Sequence, residues 1–301
     1  MTPRLSVVIV TFHSRAVLSA CLESLDAAVS MPHERVVIDN HSGDGTVEWL
    51  RAHRPDVRVI ENPDNRGFAR AVNQGLEQAT GETVLLLNPD CRVSREGIGR
   101  LLETLRDDPT VAAAAPMLLD ERGTPARSCG RFPSLWTLFC EHLGLAVAFP
   151  NQRGFGGYKY GEVPLERLGN VGWASGAALL LARHAIERLG GLDGDFFMYM
   201  EEVDWCRRAR RAGLSVRFVP EVSFVHSGQH AAPHAGGRTY LYNLHSRVRY
   251  FRKHHGRVAA WSAKVILAAS LAIKWVCARL GTARAGDPGV YARGLEALWA
   301  A

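Results

Sequence analysis

The sequence predicts an α/β protein built on a doubly wound, mostly parallel sheet. Three observations predict it. Short apolar runs rich in β-branched residues recur from residue 5 to residue 119. Segments with helical apolar spacing separate them, so strand and helix alternate four times in the N-terminal third of the chain. Polar residues gather just behind the runs, at the rim where sheets of this type bind ligands.

The elements follow in order. LSVVIV (Leu5 to Val10) reads as a buried parallel strand. RAVLSACLESL places Val17, Leu18, Cys21, Leu22 and Leu25 on one helical face. RVVID (Arg35 to Asp39) is the second strand and TVEWLRAH (Thr46 to His53) the second helix. VRVIE, FARAVNQGLEQA, TVLLLN, SREGIGRLLETLRDD and VAAAAPMLL continue the alternation as strand, helix, strand, helix and strand. Right-handed crossovers would link the parallel strands.

Beyond Pro116 the rhythm stops, and residues 120–172 carry no clear periodicity. WASGAALLLAR (Trp173 to Arg183) reads as one buried strand. EEVDWCRRARRAG is a helix with an acidic start and a basic end, as the helix dipole prefers, and Gly213 suits its C′ position. SVRFVP and VSFVH read as two short strands, and residues 239–256 and 258–280 as two helices. The tail after Gly281 reads as weakly structured. The expected division is a domain over 1–237, with halves 1–116 and 117–237, and a basic helical extension over 238–301.

The chain of 301 residues is 47% hydrophobic and 22% charged, an ordinary soluble balance with room for a large core. Its net charge of +6 points to anionic partners. The excess is local: from Val222 to Gly286 there are ten Lys and Arg and no Asp or Glu. Six cysteines form no CxxC pair, and the opening MTPRLSVVIV lacks a signal-peptide n-region, so a reducing cytosol is expected.

Four strand ends carry polar groups. They are Thr11-Phe12-His13, the loop Asp39 to Thr46, Asn65-Arg66-Gly67-Phe68, and Asn88-Pro89-Asp90. Each taken singly could be a turn or a helix cap. Together they line one rim. Asp39 could accept from a base N–H, Arg66 could meet phosphate, and Asp90 could hold Mg²⁺ or Mn²⁺ through oxygen. The acids Glu201, Glu202 and Asp204 follow the apolar FFMYM, a setting that can raise a carboxyl pKa towards neutrality. An acidic helix start is the competing reading.

These segments resemble glycosyltransferase family 2, in its rhamnosyltransferase-like branch. The matching runs are SVVIVTFHS, VVIDNHSGDGT, NRGFARAVNQG, LLLNPDCRV, WASGAALLLAR and FFMYMEEVDWCRRARRAG, in family order. The resemblance implies a GT-A fold, a Rossmann-like sheet flanked by helices, and an inverting single displacement from a nucleoside-diphosphate sugar. It implies that Thr11, Asp39, Asn65, Arg66, Gly67 and Asn73 bind the nucleotide and its diphosphate. Asp90 closes the family's metal-binding acidic element, whose first position is here Asn88, and His226 completes the site for Mg²⁺ or Mn²⁺. Glu202 stands where the family carries an Asp base, with Glu201 and Asp204 as rivals. Trp173 and Gly176 match the segment that shapes the sugar and acceptor pocket. A dTDP- or UDP-sugar donor, rhamnose by resemblance, and a saccharide or lipid-linked acceptor are the expected substrates, in cell-surface polysaccharide or glycolipid biosynthesis.

The loop Gly228 to Gly237 reads as a cover over the donor, or as a plain surface loop. VAAWSAKVILAASLAIKWVCARL is apolar, but Lys264 and Lys274 interrupt it, so an interfacial or packed helix is expected rather than a span. The expected location is cytoplasmic, peripheral at the inner membrane face, with a homodimer through the C-terminal helices as the other use of that surface. Three other readings compete with this one. A dinucleotide oxidoreductase needs GxGxxG after the first strand, where this chain has TFHSRA. A nucleic-acid or other anion-binding protein fits the basic end but not the acidic rim, and no nucleic acid is expected. A GT-A scaffold without activity is the third, since Asn88 and Glu202 depart from the strictest pattern.

Overall fold

In the computed structural model, the described residues are 4–152, 154–155, 158–159, 163–228, 237–280 and 287–300. The chain sorts into two compact units that interleave in sequence. One comprises Met1–Arg131, Pro164–Phe197 and Glu201–His234; the other comprises Phe132–Val163, Met198–Met200 and Ala235–Ala301.

The first unit opens with strand β1 (Leu5–Thr11), helix α1 (Arg15–Ala28), β2 (His33–Asp39), α2 (Thr46–His53), β3 (Val57–Glu61), α3 (Phe68–Gln78) and β4 (Thr83–Leu87). These are the expected elements. Strand β1 pairs in parallel with β2 on one side and β4 on the other, and its core residues Val7, Val8 and Ile9 are closed to solvent. Next come β5 (Cys91–Arg92), α4 (Gly97–Asp107), β6 (Val111–Leu119), and short strands β7 (Pro125–Ala126) and β8 (Cys129–Gly130).

The second half of the sheet is laid down out of order. The WASGAALLLAR run is broken rather than continuous: after β9 (Asn170–Val171) it supplies β10 (Trp173–Ala174) and β11 (Ala178–Ala182), with a turn at Ser175 to Ala177 between them. Helix α7 (Arg183–Leu189), α8 (Glu201–Arg211) and β12 (Ser215–His226) complete the unit. The sheet order is β3-β2-β1-β4-β11-β6-β12-β5, with β11 antiparallel to both neighbours. SVRFVP and VSFVH are one strand, not two. Its register against β6 slips between Val219 and Ser223, around Pro220, which has no N–H to give the ladder.

The helical unit contains α5 (Leu135–His142), α6 (Leu145–Ala148), α9 (Arg238–Arg279) and α10 (Pro288–Ala300). Helix α9 breaks at Gly256, whose φ of 87° and ψ of 179° separate the two expected helices. Its buried Arg247 forms a two-pronged pair with Glu141, 2.9 Å at each prong. Leu244, Phe251, Leu267, Leu271 and Leu298 are buried with it. The expected weakly structured tail is corrected: residues 288–300 are helical. Asp287 accepts from Gly289 N at 2.8 Å, and Pro288 supplies a φ suited to a first turn.

Candidate active site

Strand ends build the rim of the first unit. At the end of β2 the Asp39 carboxylate is buried and accepts from β1 and from its own loop. Its Oδ1 accepts from Thr11 Oγ1 (2.9 Å) and Ser42 Oγ (2.5 Å), and its Oδ2 accepts from Ser42 N (2.9 Å). Thr11 and Asp39 thus meet, as the parallel register Thr11↔Asp39 requires. Asp44 holds the other end of the loop, accepting from Arg15 N (3.0 Å) and Thr46 Oγ1 (2.6 Å). Burial alone would raise the Asp44 pKa, but these hydrogen bonds outweigh it and hold the carboxyl below its usual range.

Asn40 is a hub whose role could not be read from the sequence. Its Nδ2 donates to Asn65 Oδ1 (2.8 Å) and Gly67 O (3.2 Å), and its Oδ1 accepts from Arg66 N (3.1 Å) and Asn62 Nδ2 (3.1 Å). Asn65, Arg66 and Gly67 are therefore fixed as one loop, with the Arg66 side chain exposed. Gly67 has a left-handed φ of 82°, and a Cβ there would lie 2.5 Å from Phe197 O. Only glycine fits, because Phe68 N must reach that same carbonyl at 2.7 Å. Asn73 faces a different task. Its carboxamide donates to Leu192 O and accepts from Leu192 N, each at 2.8 Å, which ties α3 to the loop before α8.

The third group joins residues from distant parts of the chain. Antiparallel pairing of β5 with β12 sets Cys91 opposite His226. Asp90 Oδ1 then stands 3.2 Å from His226 Nε2, and Asn88 Nδ2 stands 3.4 Å from the same nitrogen. Asp90 Oδ2 accepts from Gly228 N at 3.0 Å. Burial would raise the Asp90 pKa; the His226 hydrogen bond and charge, with the Gly228 N–H, overcome it and lower the carboxyl below its usual range. The ligand atoms of Asp90, Cys91 and His226 lie within 4.8 Å of one another. Cys91 is an unsuitable third donor: burial first, and the Asp90 charge second, push its thiol well up, and it donates to Ala177 O at 3.3 Å. The carboxylate and imidazole that remain, with the Asn88 carboxamide beside them, fit a divalent cation such as Mg²⁺ or Mn²⁺.

The fourth group is the acidic start of α8. Tyr199 and Met200, which lead into it, hold left-handed φ values of 68° and 70°. Such a pair costs of order 1 kcal/mol per residue or more and is characteristic of functional sites. The three acids have separate fates. Glu201 is buried, its Oε2 meets no hydrogen-bond partner among the described residues, and burial followed by the Glu202 charge raises its pKa well above the usual range. Asp204 is fully buried and paired with Arg208 at 3.0 Å. Arg208 also donates to Leu189 O (2.5 Å) and Gly191 O (2.6 Å), so this pair fastens α8 to the end of α7. Glu202 alone is only half-buried, and it faces the turn after β10: a Cβ on Gly176 would lie 3.8 Å from Glu202 Cβ and 3.5 Å from Phe68 Cε1. Trp173 is buried and donates from Nε1 to Arg131 O at 2.9 Å, which anchors that turn. Of the loop Gly228 to Gly237, read as a cover, residues 229–236 lie outside the described residues.

A mostly parallel sheet with an antiparallel insertion, carrying an Asp–His pair at one strand end, is the architecture that the GT-A resemblance implies. Comparison with known proteins agrees. The model for glycosyl transferase family 2 matches residues 6–158. N-acetylglucosaminyl-diphospho-decaprenol L-rhamnosyltransferase of Mycobacterium tuberculosis is 32% identical over 243 residues, covering 77% of this chain and 78% of that protein. The low-salt glycan biosynthesis hexosyltransferase Agl10 of Haloferax volcanii is 27% identical over 231 residues, 75% of this chain and 68% of that protein. The fold is that of the mannosyltransferase PcManGT from Pyrobaculum calidifontis, solved with GDP-Man and Mn²⁺, at a TM-score of 0.55 and 19% identity, covering all of this chain and 86% of the other. It is also that of GalNAc-T7, solved with UDP, GalNAc and Mn²⁺, at a TM-score of 0.58 and 18% identity over 83% of this chain and 48% of the other. The chain belongs to glycosyl transferase family 2 and is a glycosyltransferase with a GT-A fold.

Proposed function

We propose that this enzyme is an inverting transferase that moves a sugar from a nucleoside-diphosphate sugar to an acceptor hydroxyl, with Glu202 as base and Asp90 and His226 holding Mg²⁺ or Mn²⁺. The observation that carries the reading is the division of labour among the acids of α8. Burial raises the Glu201 pKa, Asp204 is paired with Arg208, and Glu202, the half-buried acid of the three, stands at the Gly176 turn.

The chain's own residues then act as follows. Thr11, Asp39 and the loop fixed by Asn40 receive the nucleoside, and Arg66 and Gly67 face its diphosphate. Asn73 acts as a positioning residue for the wall formed by Leu192. Trp173 and Gly176 shape the pocket for the sugar and acceptor. A divalent ion at Asp90 and His226, with Asn88 beside it, would neutralise charge on the departing diphosphate. Glu202 removes the acceptor proton as the hydroxyl attacks the anomeric carbon from the face opposite the leaving group, so the configuration inverts.

The name of the M. tuberculosis relative supports rhamnose as the sugar and a polyprenyl-diphosphate-linked saccharide as the acceptor class. A dTDP- or UDP-sugar donor and a cytoplasmic site of action at the inner membrane face go with that reading. The test is thermal melting with Mn²⁺ or Mg²⁺ and a panel of dTDP, UDP, GDP and their sugars. A metal-dependent rise with one nucleotide series is expected and identifies the base; no rise with any of them at millimolar concentration refutes the donor site.

A further inference from the structure

We propose that the second half of α9 docks the helical unit onto the surface of an anionic lipid bilayer, lying in the plane of the interface. Val258, Trp261, Val265, Ile273, Val276 and Leu280 form a solvent-facing stripe on this helix. Their spacing follows the helical repeat, and the stripe runs for about 33 Å at a helical rise of about 1.5 Å per residue. Val258 is 81% exposed, Trp261 61% and Leu280 76%, values far from those of a packed surface. Few soluble proteins leave so long an apolar stripe in water.

The opposite face of the same helix is already in use. Ala260, Ala263, Leu267, Ser270 and Leu271 are buried within the helical unit, and Ser270 Oγ donates to His142 O at 2.8 Å. The helix therefore carries two apolar faces, one packed and one open. By length and composition it could cross a membrane, with a mean hydropathy of 1.4 over 18 residues. Its packed face and the two lysines inside the run, Lys264 and Lys274, favour lying flat. Arg257, Lys264 and Arg279 fall on one flank of the stripe by helical position, where their stems can lie along the apolar surface and their charges reach headgroups.

Charge chooses between a bilayer and a second copy of the chain. The helical unit holds 13 Lys and Arg against 4 Asp and Glu, a net +9, and leaves the other unit at −3. Two such faces brought together would repel each other, whereas an anionic membrane surface attracts each of them. The surface includes none of the donor-site residues, so it stands or falls separately from that assignment.

The experiment is sedimentation of the full chain with vesicles of phosphatidylcholine alone, or of two parts phosphatidylcholine to one part phosphatidylglycerol. The protein is expected to pellet with the anionic vesicles and to be released as salt is raised. The double variant Trp261→Glu/Val265→Glu should bind at least tenfold more weakly while its nucleotide-dependent thermal stabilisation stays that of the wild type. If that variant does not fold, Val258→Glu, at the most exposed position of the stripe, replaces it. Wild-type protein that stays in the supernatant with both vesicles, or a folded variant that binds as well as the wild type, overturns the proposal. So does light scattering that finds a wild-type dimer which the variant converts to a monomer.

Discussion

Replacing Asp204 by Asn should destabilise the enzyme without abolishing its chemistry. The substitution keeps the shape of the side chain and removes the charge that balances Arg208. Breaking one partner of a buried pair costs about 3–5 kcal/mol. Two features place this case near the lower end. The Arg208 side chain is 22% exposed, so water can reach part of it, and its bonds to Leu189 O and Gly191 O remain available. A loss of about 3 kcal/mol corresponds to a fall in Tm of roughly 5 °C for a chain of this length unfolding as one. Urea unfolding gives the first number, and calorimetry gives the second independently. Sugar transfer, measured well below the lowered Tm, should stay within about threefold of the wild type, since the pair acts on the attachment of α8 and not on the acceptor proton. A variant that melts within about 2 °C of the wild type yet has lost transfer would refute the reasoning and make Asp204 the catalytic base.

Two further outcomes test the rim. His226→Ala removes the contact that lowers the Asp90 pKa; because a depressed carboxyl stabilises the fold above its unfolded pKa and the pair needs an imidazolium, the Tm gap between wild type and variant should be full at about pH 5. It should close as pH falls below about 3.9 and Asp90 is protonated in both, as followed by melting across the acid range. His41→Gly should raise stability by about 1 kcal/mol in urea unfolding, because this exposed residue holds a left-handed φ that costs every side chain but glycine; its φ is 68°.

Much of the first unit was legible because buried parallel strands announce themselves as continuous β-branched runs. LSVVIV, RVVID and TVLLL became β1, β2 and β4 for that reason. Direction and order were less accessible. Nothing in ALLLA says that β11 runs antiparallel between β4 and β6, since an apolar run reads alike in either direction. The Asp90–His226 contact was reached through family resemblance alone; physically it depends on the pairing of two-residue β5 with the end of β12, which no local pattern encodes. Asn40 was visible as a turn former, but its four bonds to the 62–67 segment needed the fold. The separation of Glu201, Glu202 and Asp204 likewise rests on burial and on Arg208, while their sequence shows only an acidic helix start. The terminal helix α10 did leave a signal in Asp287-Pro288, a cap followed by a first-turn proline, which the short and weakly amphipathic segment behind it obscured.

The most direct test of the catalytic assignment is single-turnover sugar transfer by Glu202→Gln alongside nucleotide binding by the same variant. Loss of a general base should slow transfer by about 10²–10⁴-fold while nucleotide affinity in the presence of metal stays that of the wild type. Transfer at the wild-type rate by a variant that still binds nucleotide would contradict the account and place the base elsewhere.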